Sequence, residues 1–127
     1  MALLKGSKLR QDFGIPSDQL KAIKNFLQGA VYCWIKNKNE EFFAARDLMG
    51  GANFDWYGTP LYWLYDKHIK KGKTEKAAID EAGKDLGWIL KSVLDEDKRT
   101  FESRDEGRAN GYKWVISPVK TTPEGLS

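Results

Sequence analysis

One cysteine, Cys33, and one histidine, His68, stand in a chain of 127 residues. A lone cysteine forms no intramolecular disulfide, and one Cys with one His cannot supply the ligands of a structural zinc site. No apolar run reaches the roughly eighteen residues of a membrane span. Met1 to Gly6 lacks the apolar segment and small-residue cleavage site of a secretory signal, so a reducing, cytoplasmic setting is expected. Gly50-Gly51 lacks the lysine-serine pattern and strand-helix frame of a phosphate loop. Asp80, Glu81 and Asp85 are spaced as on a wet helix face, so neither enzyme activity nor a metal or cofactor is expected, and no small-molecule substrate is identified.

A large excess of one charge sign is also missing. Twenty-one Lys and Arg against eighteen Asp and Glu leave +3, and 41% apolar residues suit one folded domain. The charge is nevertheless striped: residues 1–38 carry +5, 39–66 −4, 67–76 +4, 77–97 −4 and 98–113 +2. Any contact with phosphate must therefore be local.

Residues 1–16, with Gly6, Gly14 and Pro16, read as a loosely packed, flexible arm, 17–116 as one domain and 117–127 as a disordered tail. Ser17-Asp18 can cap a helix carrying Leu20, Ile23, Leu27, Val31, Trp34 and Ile35 at three- and four-residue steps. Ala22, Phe26, Gly29 and Cys33 form a second row, which implies burial on more than one side and makes Cys33 a small core residue. Glu41 to Ala44 reads as a short strand and Ala45 to Met49 as a short helix closed by Gly50-Gly51. Thr59-Pro60 starts a helix with Leu61, Leu64, Tyr65, His68 and Ile69 on one stripe, where His68 is expected partly buried and hydrogen bonded. Thr74 opens another, with Ala77, Ala78, Ala82, Leu86, Ile89, Leu90, Val93 and Leu94 inward, and Gly83 and Gly87 predict either a bend or two helices meeting in a turn. Phe101, and then Tyr112, Trp114 and Ile116 at alternating positions, predict a hairpin with a long polar tip. The fold class is thus mainly α with a small β-hairpin.

Two segments carry a resemblance. Phe43-Ala44-Ala45-Arg46-Asp47-Leu48 is similar to the strand-to-helix entry of winged helix-turn-helix domains, and Arg99-Thr100-Phe101 through Tyr112-Lys113-Trp114-Val115 to their wing. Ala82-Gly83-Lys84-Asp85-Leu86-Gly87-Trp88, followed by Val93, resembles the helix-turn-helix pattern itself. The resemblance lies at the level of the superfamily and covers roughly residues 17–116. It implies three or more helices closed by a C-terminal wing, and duplex DNA as a partner.

On that reading Arg104, Arg108 and Lys113 on the wing hold phosphates together with Lys67, Lys70, Lys71 and Lys73, and Lys91 faces outward on the recognition helix. Asp95-Glu96-Asp97, at the end of that helix, repels phosphate and opposes base readout. Lysines beside a helix end also serve simply as a solvated face. The other candidate is residues 54–65, with six aromatics in twelve. These rings can cover the first helix, or Trp56, Tyr57, Tyr62 and Trp63 can anchor a protein partner or a homodimer. Asp47, Asp55 and Asp66 nearby favour a protein over a nucleic acid there.

Overall fold

The computed structural model describes residues 12–38, 41–49, 55–97, 99–105 and 110–115. Four helices come first: α1 (Ser17–Asn37), α2 (Ala45–Leu48), α3 (Tyr62–Lys70) and α4 (Glu75–Glu96). An antiparallel hairpin of β1 (Thr100–Asp105) and β2 (Asn110–Val115) follows. The chain is mainly helical with one small sheet, as expected. Among the described residues no helix is long and apolar enough to cross a membrane.

α1 buries Ile23, Leu27, Val31 and Ile35, a single stripe at four-residue steps. The second row expected to be buried is not: Phe26, Gly29 and Cys33 are exposed. Position 33 lies two residues from both Val31 and Ile35, about 200° round the helix, so its thiol points away from the core. Ser17 is the first helical residue and not the cap. Pro16 takes the cap position with extended backbone and no side-chain hydrogen bond, and its carbonyl accepts from the Leu20 N–H.

Residues 12–16, assigned to the loose arm, are docked. Phe13 is buried in the core, and Gly14 adopts φ +70°, a left-handed conformation that glycine reaches without a Cβ clash. The Gly14 N–H donates to the Asp12 carboxylate at 3.0 Å, which closes the turn that aims Phe13 inward. Residues 1–11 and the expected tail lie outside the described residues.

α3 begins at Tyr62, with Leu61 at the cap position, later than the expected start at Thr59-Pro60; those two residues form the tight turn before it, in which the Thr59 hydroxyl accepts from the Leu61 N–H and the Thr59 and Pro60 carbonyls accept i to i+3 bonds. The Thr74 hydroxyl accepts from the Ala77 N–H and caps α4. α4 then runs unbroken for 22 residues through Gly83 and Gly87, with neither the bend nor the turn. A Cβ at either glycine would meet no atom within 4 Å, so the glycines serve no close approach. The helix survives them because Ala78, Ala82, Leu86, Ile89, Leu90, Val93 and Leu94 are all buried, and that packing outweighs about 1 kcal/mol of propensity lost per glycine.

The strand expected at Glu41 to Ala44 shrinks to one bridge, in which Phe43 and Tyr112 exchange two backbone hydrogen bonds of 2.7 Å. Ala45–Leu48 forms the short helix as read, with the Asp47 carboxylate accepting from the Ala44 N–H. Phe43, Phe101 and Tyr112 meet ring to ring beneath the hairpin, with centroids about 6 Å apart, and so join the sheet to the helical core.

Candidate functional site

The lysines expected to share a phosphate surface are divided by the fold. Lys67 points inward from α3, its ammonium 2.9 Å from the Asp85 carboxylate and donating to the Phe13 carbonyl. The next residue, His68, donates from Nε2–H to the same Asp85 oxygen at 2.9 Å, since a carboxylate can only accept. Asp85 is 3% exposed, contrary to the wet face its spacing implied, and Lys67 is lost to any phosphate. The three side chains tie residues 12–16, α3 and α4 together. A buried carboxylate is tolerable here because it meets one full positive charge and a second donor. His68 is hydrogen bonded as expected, although its Nδ1 is buried without a partner among the described residues.

Lys70 pairs with Asp66 at 2.8 Å one turn earlier. Lys71 and Lys73 are exposed beyond the end of α3, with Lys76 on the first turn of α4, and none of the three has an ion pair among the described residues. Lys91 lies on α4 with its ammonium 4.9 Å from the centre of the Trp88 ring. Lys113 lies on β2 over Phe42 at 5.1 Å. Arg104 occupies β1 opposite Gly111, and Arg108 lies outside the described residues.

The acidic triad at the end of α4 has a different use from the one expected. Lys24, Gln28 and Tyr32 follow at four-residue steps along α1 and so share one face. Lys24 meets Glu96 at 3.0 Å, Gln28 donates to Asp97 at 2.7 Å, and Arg99 lies 4.5 Å over the Tyr32 ring while donating to Asp97 at 3.0 Å. Trp114 completes the clasp with its ring 5.9 Å from the Arg99 guanidinium. Glu96 and Asp97 are thus engaged with α1 and the base of the hairpin. The 24/28/32 spacing was present in the sequence, but its partners lie about seventy residues away.

Most of the aromatic segment does gather. Tyr57 stacks on Tyr62 with centroids 4.8 Å apart, Tyr62 meets Tyr65 at 5.9 Å, and Tyr65 stacks on Trp56 at 6.3 Å. Gly58 at φ +76° and the Thr59 hydroxyl, donating to the Trp56 carbonyl, fold this loop back over α3. Trp56 is buried and forms the floor of the ladder, so it is not a surface anchor. Tyr57 at its top is 67% exposed, the most of any large apolar or aromatic residue described. Tyr65, outside the expected set, joins because it lies three residues after Tyr62. Trp63 turns to the other side of α3, where with Tyr62 it lines a shallow cleft of about 310 Å³ against Gly14, Ile15 and Pro16.

Carboxylates border the ladder. Asp55 accepts from the Tyr57 N–H, and Glu75 accepts weakly from the Tyr65 hydroxyl at 3.4 Å. Partial burial pushes the Tyr62 phenol above its ordinary value, helped by Tyr57 and by the charge on Asp66. Burial, and then the charge on Glu75, do the same for Tyr65. Stacked rings held against neutral phenols form a stiff surface with a negative surround. Comparison with family models, curated proteins and solved structures finds nothing that matches this chain, so the reading of this surface rests on its own chemistry.

Proposed function

We propose that the chain is a protein-binding module whose docking surface is the tyrosine ladder of Tyr57, Tyr62 and Tyr65, with Trp56 as its floor. The observation that carries this is Tyr57, two-thirds exposed yet fixed by its 4.8 Å stack on Tyr62. An exposed aromatic already held in place loses little freedom on binding, which is how tyrosine anchors act in interfaces. Asp55 and Glu75 at the border disfavour phosphate and favour a partner that presents basic side chains. The test is affinity capture of a partner followed by titration with variants. Tyr57→Ala with Tyr62→Ala weakens binding at least about tenfold, as for two hot-spot side chains. Lys71→Glu with Lys73→Glu leaves binding within about twofold, as for charges outside the anchor. The reverse pattern overturns the reading.

A second reading keeps a winged helix that grips duplex DNA. It draws on the order of helices and hairpin, and on the exposed Lys71, Lys73 and Lys76, which have no ion pair among the described residues. With α4 unbroken and Lys67 turned inward onto Asp85, it reduces to backbone contact by these lysines, Lys70, Lys91 and the hairpin cations. It requires binding that weakens steeply as salt is raised.

A further inference from the structure

Lysine and arginine side chains lie over several of the aromatic rings of this chain. Lys38 is 5.2 Å from the centre of the Trp34 ring, Lys91 4.9 Å from that of Trp88 and Lys113 5.1 Å from that of Phe42. Arg99 serves two rings, at 4.5 Å from Tyr32 and 5.9 Å from Trp114, while its guanidinium donates to Asp97 at 3.0 Å. A cation over a ring is drawn to the negative face of the π system, and a carboxylate beside it accepts its N–H groups. Around Arg99 the set is complete: ring, guanidinium and carboxylate.

At Tyr57 two of these three parts are in place. One face of its ring is stacked on Tyr62 with centroids 4.8 Å apart, and the residue is still 67% exposed, so the open face is the one turned away from Tyr62. Among the described residues no cation and no second ring covers that face. The carboxylate is supplied by Asp55, which is exposed and is fixed two residues back by accepting the Tyr57 N–H at 3.0 Å on one oxygen. Glu75, beside Tyr65, adds a second negative charge. The missing part is the cation.

We infer that Tyr57 and Asp55 together receive an arginine side chain of a partner protein, its guanidinium stacked on the open face of the ring and its N–H groups donating to the carboxylate. This rests on the ladder being a docking surface and names the side chain that docks there. Arginine fits better than lysine because its guanidinium is planar, weakly hydrated and carries its donors in a fixed fork, so one group lies flat on the ring and reaches the carboxylate. A lysine ammonium is a strongly hydrated point charge and gives up more water for the same contact. The stack on Tyr62 has already fixed the receiving ring, so little freedom is lost when the cation arrives.

Nuclear magnetic resonance titration of the full chain with an acetylated, amidated Gly-Arg-Gly peptide tests this. The ring protons of Tyr57, identified by their loss in Tyr57→Leu, shift and saturate at millimolar peptide. The same peptide with lysine in place of arginine binds at least about threefold more weakly. So does the peptide with citrulline, which keeps the shape of arginine without its charge. Tyr57→Leu removes the saturable shift of the peptide's own side-chain protons, and Tyr57→Phe, which keeps the ring, retains it. Asp55→Asn, which can still accept the Tyr57 N–H, weakens binding by about threefold. Circular dichroism of each variant confirms that the fold is kept. Lysine or citrulline peptides that match arginine to within about threefold, arginine binding that survives Tyr57→Leu, or no saturable shift at all overturns the inference. The ladder as a docking surface is judged apart from these outcomes, because partner binding lost in Tyr57→Ala with Tyr62→Ala does not depend on which side chain docks.

Discussion

Asp85 shows how much one side chain can hold. It receives both Lys67 and His68 at 2.9 Å and is 3% exposed. Removing its charge leaves a largely enclosed ammonium and a buried imidazole facing a neutral group, the circumstance in which broken ion pairs are most damaging. Asp85→Asn is expected to lower the unfolding free energy by about 3 kcal/mol, measured by urea denaturation. A loss under about 0.5 kcal/mol, typical of an exposed pair, would contradict the buried cluster. The tyrosines make a prediction in pH. The raised Tyr62 and Tyr65 phenols ionise above the ordinary value of 10.0 in the folded chain. Folding therefore favours the protonated form, so their contribution is intact below pH 10 and is lost as the pH rises through the folded values. Ultraviolet absorbance titration should resolve at least two late phenolate steps, and Tyr57→Ala should move the Tyr62 step back toward 10.0.

At the scale of the element, α4 is held by packing over propensity. Gly83 and Gly87 lie inside it with open space where a Cβ would stand. Gly83→Ala and Gly87→Ala should therefore each stabilise the chain by about 0.5–1 kcal/mol, read as a raised denaturation midpoint. Destabilisation by either would restore the bend or turn that the two glycines imply in sequence. Thr74→Ala should cost about 1 kcal/mol through the lost bond to the Ala77 N–H.

The same helix shows where the sequence was legible and where it was not. Its start, its apolar stripe and the hairpin after it follow from local rules: a capping threonine, a period near 3.6, then a period of two. The burial of Asp85 does not, because its inward environment is made by Lys67 and His68 on another helix. Burial of Phe13 was hidden for the same reason, as one ring among turn residues has no period to display it. Cys33 was misplaced by a second row of small residues that lies beside the buried stripe without being covered.

For the whole molecule, the fold sorts groups that are mixed in sequence. The lysines of 67–76 divide between an inward anchor, a paired surface residue and three exposed cations, and Glu96 and Asp97 close against α1. Trp56, Tyr57, Tyr62 and Tyr65 collect into a ladder with one ring buried and one two-thirds exposed. A surface so arranged, ringed by Asp55 and Glu75, suits a protein partner better than a phosphate backbone. Photo-crosslinking in cells tests this most directly, with a photoreactive side chain placed at position 57 and, as a control, at the exposed Lys84 of α4. Discrete protein adducts from position 57 that are absent from position 84 are predicted. Adducts to nucleic acid, or no adduct that distinguishes position 57 from position 84, would contradict the account.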